Sequence, residues 1–133
     1  MSGSVMFSPT TFIFVRTPEF AEVIRRTYEA LPLEGDQAKA FGERIVRNPY
    51  SEAPSVDLSE VGPKQFNFFY RLSREQYLVA LTERAEDAVR VRADRLLQIW
   101  RGFLGDLESD ARFRSRPMSK SFEYTGEPLL PED

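Results

Sequence analysis

Apolar residues recur at helical spacing from Tyr77 to Leu107, over a stretch too long for the domain that holds it. The positions are Tyr77, Leu81, Ala85, Ala88, Val89, Leu96, Leu97, Trp100, Phe103, Leu104 and Leu107. A straight helix from Arg74 to Leu107 would run about 50 Å. A compact domain of this length has a diameter of roughly 36 Å. The helix must therefore project, break or begin later. An early start is favoured by two signals around Leu72-Ser73-Arg74-Glu75-Gln76-Tyr77. Ser73 and Gln76 form a capping box, and Leu72 and Tyr77 form a hydrophobic staple. The alternative makes Tyr77–Leu81 a strand paired with 65–72. Thr82 then caps a helix of about 36 Å, with Glu83, Glu86 and Asp87 near its positive end.

The preceding chain divides at its turn signals. Phe12-Ile13-Phe14-Val15 is aromatic and β-branched, and follows the turn Ser8-Pro9-Thr10-Thr11, so a short hairpin spans Val5 to Val15. Thr17-Pro18-Glu19 starts a helix: Thr17 caps, Pro18 takes the first helical position, and Glu19 and Glu22 suit the dipole. Phe20, Val23, Ile24, Tyr28 and Leu31 form its buried face, and Pro32 ends it by disfavouring helical geometry in Leu31. Asp36 caps a second helix through about Arg47, with Ala38, Phe41, Ile45 and Val46 inward. Gly42 weakens that helix by about 1 kcal/mol relative to alanine. Residues 48–63 form a long surface connection with room for a helical turn at Asp57–Val61. In 65–72 the apolar residues Phe66, Phe68, Tyr70 and Leu72 alternate, which predicts a strand. Phe66, Phe69 and Tyr70 also fit a helical face. Residues 109–133 are polar and contain prolines, with Phe113, Phe122 and Tyr124 to pack. The fold class expected is α+β and dominated by helices. It has two or three short strands, two short helices and one long C-terminal amphipathic helix. A single domain spans residues 1–126, and residues 127–133 form a flexible acidic tail.

Composition bears on function more than on fold. The chain has no histidine and no cysteine. That removes the commonest general base, the commonest metal ligand and the most nucleophilic side chain. Ser-His-Asp and Cys-His catalysis are excluded, and any Ser or Thr nucleophile would need Lys39, Lys64, Lys120 or a carboxylate as its base. The net charge of -3 argues against general binding of nucleic acid. No targeting segment and no apolar run of spanning length is visible, so the expected compartment is the cytoplasm. Eleven Phe, five Tyr and one Trp leave aromatics to spare for an interface.

Candidate sites were weighed on their residue patterns. Asp106, Glu108 and Asp110 stand at alternate positions, but Ala111 and Pro117 occupy the places where a calcium loop needs glycine and glutamate. Gly102-Phe103-Leu104-Gly105 is followed by no lysine and is no phosphate loop. No cofactor and no metal is expected. Arg112-Phe113-Arg114-Ser115-Arg116 interleaves basic and aromatic residues. Arg92 interrupts the apolar stripe between Val89 and Leu96. Arg92, Arg112, Phe113, Arg114 and Arg116 are the partner-binding candidates. Trp100 shares a face with Leu96, Leu97, Phe103 and Leu104, and is either a core anchor or an interface hot spot.

These observations favour a non-enzymatic protein-binding module. Its most concrete form is a small bacterial or phage inhibitor or immunity-type protein that blocks a partner enzyme or toxin. The alternatives are a dimeric secretion or assembly chaperone with the long helix as its seam, a nucleic-acid-binding regulator, and a hydrolase or lyase that works through carboxylates.

Overall fold

A computed structural model describes residues 3–84 and 90–114, without the side chains of 84 and 90–93. The strands are β1 (Gly3–Ser8), β2 (Thr11–Val15), β3 (Val46–Arg47) and β4 (Ser55–Asp57). The helices are α1 (Pro18–Ala30), α2 (Asp36–Ile45), α3 (Pro63–Arg84) and α4 (Arg90–Glu108), with a 3-10 helix at Leu31–Glu34. The fold is α+β and helix-dominated, with a mixed sheet of order β2-β1-β4-β3. β1 pairs antiparallel with β2 and parallel with β4, and β4 pairs antiparallel with β3.

The hairpin and the first helix form as their sequences dictate. Ser8 and Thr11 close the β1–β2 turn, with a register shift between Met6 and Ser8. The Thr17 hydroxyl accepts the Phe20 amide at 3.3 Å, and Pro18 opens α1. Gly3 is buried where α1 crosses β1: an added Cβ would lie 2.7 Å from Phe20 and 3.0 Å from Ile24.

The expected ends of the next two elements need correction. Leu31 stays helical, at φ -61° and ψ -45°, and opens the 3-10 helix, with Pro32 in its first turn, where the missing N–H costs no bond. Leu31 is fully buried against Gly42, and that packing outweighs its local preference. Asp36 is the first residue of α2 and not its cap; the cap position is Gly35, at a φ of +116° that favours glycine. The helix stops at Ile45, and Val46 and Arg47 join the sheet. The long connection supplies a strand of its own, β4, because Val56 fits the sheet between Val5 and Val46. This makes four strands where two or three were expected. At Asp57–Val61 there is the end of β4 and a turn at Ser59 and Glu60, and no helix.

The largest corrections concern the segment around Ser73. Residues 65–72 are helix and not strand, while Tyr77–Leu81 is helix as the favoured reading had it. Ser73, Gln76, Leu72 and Tyr77 lie inside α3, where neither a capping box nor a staple has a role. Thr82 caps nothing; its hydroxyl donates to the Leu78 carbonyl one turn back at 3.1 Å. The single long helix is two helices, α3 and α4, of about 33 and 28 Å, both within the domain diameter. They run antiparallel: Tyr77 meets Trp100, Phe69 meets Phe103, and the Tyr70 hydroxyl donates to Glu108. The 126/127 boundary and the acidic tail lie outside the described residues.

α1, α3 and α4 pack together around an aromatic core. Phe103 stands edge-on to Phe20 and Phe69, with ring centroids 5.4 and 6.3 Å away. Trp100 is wholly buried, which assigns it to the core. Its indole N–H donates to Ser73 Oγ at 3.0 Å. The Thr27 hydroxyl shares its hydrogen between Ser73 Oγ at 3.1 Å and the Val23 carbonyl at 3.0 Å. The three helices thus meet at one satisfied polar knot inside an apolar core. Among the described residues no helix is long and apolar enough to cross a membrane.

Candidate functional site

The two faces of the sheet differ. Val5, Phe7, Val46 and Val56 point into the core. The pairing register sets out the opposite face in rows. One row runs Phe14, Ser4, Ser55, Arg47, and the next runs Phe12, Met6, Asp57. Phe12 is 64% exposed, Phe14 53% and Met6 38%. The face is therefore aromatic at β2 and polar at β3. Its rim carries charges held in place locally. Arg16 lies over the Phe14 ring at 5.5 Å. The Ser59 hydroxyl donates to Asp57 at 2.6 Å and its amide at 2.9 Å, which holds the Asp57 carboxyl below the usual range. A cluster of exposed aromatic side chains with a polar rim has the anatomy of a protein-binding surface.

The arginine-rich segment is the interface expected from the sequence, and its described residues Arg112, Phe113 and Arg114 also make contacts within the fold. Arg112 stacks on the Phe66 ring at 4.5 Å, and each of its five N–H groups has a partner. Nη1 donates to the carbonyls of Leu58 and Val61, both at 2.6 Å. Nη2 donates to the Phe7 carbonyl at 2.9 Å and to Asp110 at 3.0 Å, and Nε donates to Asp110 at 2.9 Å. The guanidinium thereby ties the end of β1, the loop after β4 and the chain beyond α4. Asp110 is held below the usual carboxylate range, chiefly by the Arg112 hydrogen bond.

Phe113 stacks edge-on against Tyr70 at 4.8 Å. Burial, then the hydrogen bond to Glu108, raises the Tyr70 hydroxyl above its ordinary range. The Asn67 side chain donates to the Arg112 carbonyl at 2.9 Å and accepts the Arg114 amide at 2.8 Å, which docks the segment on α3. Arg114 is exposed, and its guanidinium donates to the carbonyls of Ala111 and Phe113 at 3.1 and 3.2 Å. The structure thus brings Arg112, Phe113 and Arg114 together around the start of α3. The Arg92 side chain and Arg116 lie outside the described residues.

The three acidic residues near the end of α4 separate. Asp106 is exposed, Glu108 takes Tyr70 and Asp110 takes Arg112. Among the described residues no group of three or more carboxylates is gathered to hold a metal ion.

The aromatic face was missed at the sequence level, although a signal was present. Phe12-Ile13-Phe14-Val15 is apolar at both parities, so one pair of side chains must face away from the core whichever way the strand turns. Comparison with protein-family models, with curated proteins and with solved structures found no match for this chain.

Proposed function

We propose that this chain is a non-enzymatic protein-binding module that docks a partner on the outer face of the β1–β2 hairpin. Its most concrete form is a cytoplasmic inhibitor or immunity-type protein that blocks a partner enzyme or toxin. The observation that carries this reading is the uncovered set Met6, Phe12 and Phe14, which the strand register places side by side on one sheet face; the other exposed apolar side chains, Leu33, Tyr50, Leu78, Val79 and Leu81, lie outside the sheet. Aromatic side chains and methionine are the usual anchors of such surfaces. The net charge of -3 would speed encounter with a basic partner, while the aromatic centre supplies contact at short range. The absence of histidine and cysteine points the same way. The dimeric-chaperone alternative loses one of its supports: the excess helix length that called for a dimer seam is absorbed by the break between α3 and α4.

The test is affinity capture from the native host, followed by assay of the captured protein. One stoichiometric partner with an enzymatic or toxic activity that the purified chain suppresses supports the proposal. A mixture of unfolded clients, or a partner whose activity the chain leaves untouched, rejects the inhibitor reading.

A further inference from the structure

We propose that β2 is the pairing edge for a second copy of this chain, with the two-fold axis at Ile13. The backbone of β1 decides which groups of β2 are open. The Met6 carbonyl accepts the Leu58 amide at 2.8 Å, and the Ser4 amide donates to the Pro54 carbonyl at 3.2 Å. Ser4 and Met6 therefore turn their backbone groups towards β4. Gly3 and Val5 turn theirs towards β2, where they pair with Val15 and Ile13. By the same alternation, the N–H and C=O groups of Phe12 and Phe14 point away from the sheet. Among the described residues no strand pairs with them.

That edge carries none of the usual protections. Thr11-Phe12-Ile13-Phe14-Val15 has no charge, no proline and no glycine. The opposite edge differs. β3 is two residues long, one of them Arg47, and Asn48 follows it at a φ of +52°. Among the described residues β2 is therefore the edge at which the sheet can grow.

The β2 sequence is complementary to itself. An antiparallel pair centred on Ile13 sets Phe12 opposite the partner's Phe14, and Phe14 opposite the partner's Phe12. Both are positions where backbone groups face outward, so each pair exchanges its two backbone hydrogen bonds. Arg16 falls opposite Thr10 of the second copy, and no like charges meet. Shifting the axis to Phe12 leaves Phe14 opposite Thr10, and shifting it to Phe14 leaves Phe12 opposite Arg16. Only the Ile13 axis gives every phenylalanine an aromatic partner across the strands, a favourable pairing on a sheet face. The two four-stranded sheets then join into one with a continuous aromatic row. The pairing does not rest on the proposed partner, because it uses the strand edge and is read without one.

The test uses the full chain labelled with nitrogen-15, by light scattering and amide exchange from about 5 µM to about 500 µM. The expected mass rises to that of a dimer. The Phe12 and Phe14 amides slow by about tenfold or more over the same range, while Ile13 and Val15 are slow throughout. Phe14→Pro removes an outward N–H at an edge, where proline is tolerated, and gives a monomer at every concentration. Three results overturn the proposal: a monomer throughout, a dimer in which Phe12 and Phe14 still exchange fast, or protection of those amides already in the monomer. The last would mean that the edge is covered within one chain.

Discussion

Single residues in this protein hold together elements far apart in the sequence. Ser73 is the clearest case. Its hydroxyl is the only hydrogen-bond acceptor that the indole of Trp100 has among the described residues, at a site closed to water. Ser73→Ala should cost about 2 kcal/mol, the usual penalty for a buried donor left unsatisfied. Gln76→Ala should cost less than about 0.5 kcal/mol, since Gln76 lies inside a helix and caps nothing. Urea unfolding of the two variants checks both values; a costly Gln76→Ala would restore the capping box. Arg112 and Asp110 act similarly between β1, the loop after β4 and the end of α4. The folded Asp110 carboxyl lies below its unfolded value of about 3.9. Its contribution is therefore complete above that value and is lost as pH falls through the folded one. The stability gap between wild type and Asp110→Asn should be widest near pH 6 and shrink below about pH 4. A gap independent of pH would show that the charge does not matter.

Elements were legible where one face met the core and the other met water. The hairpin, α1 and the inward stripe of α2 follow directly from turn residues, caps and spacing. α3 was not legible, for a physical reason. From Gln65 to Ser73 only Asn67 escapes burial, so the segment is apolar around most of its circumference and shows no helical period. Its alternating phenylalanines then imitate a strand. Ser73 looked like a cap because a small hydroxyl residue serves equally well at a helix start and at a crowded helix crossing. β4 escaped notice because three residues between prolines carry no pattern. The roles of Arg112 and Phe113 were hidden in a different way, since apart from Asp110 the partners named above lie between 43 and 105 positions away in sequence. Glycine positions give a prediction at this scale. An alanine Cβ at Gly42 would come within 2.6 Å of Leu31 Cδ1, so Gly42→Ala should cost about 1 kcal/mol despite its better helix propensity. A Cβ added at Gly102 or Gly105 would meet no described atom within 4 Å, and alanine at either should stabilise α4 by about 0.5 kcal/mol or more. Thermal unfolding of the three variants would show the opposite signs; a stabilised Gly42→Ala would mean that Leu31 has room to move.

For the whole molecule, the sheet's inner side, with the helices packed on it, belongs to the core, and its outer side is the face proposed for recognition. Trp100, Phe103 and Phe69 are enclosed, whereas Phe12 and Phe14 sit on an edge strand with their rings in solvent. Replacing them should leave folding intact and abolish function, and that separation is what distinguishes a binding face from a loosely packed core. The measurement that tests this most directly is a binding titration of the captured partner against Phe12→Thr/Phe14→Thr, run beside a thermal melt of the same protein. Threonine keeps the strand propensity of the edge. The expected result is a melting temperature within about 3 °C of wild type and affinity reduced by about a hundredfold or more, as for the loss of two interface anchors. Wild-type affinity in a variant that folds normally would contradict the assignment and move the binding surface elsewhere on the molecule.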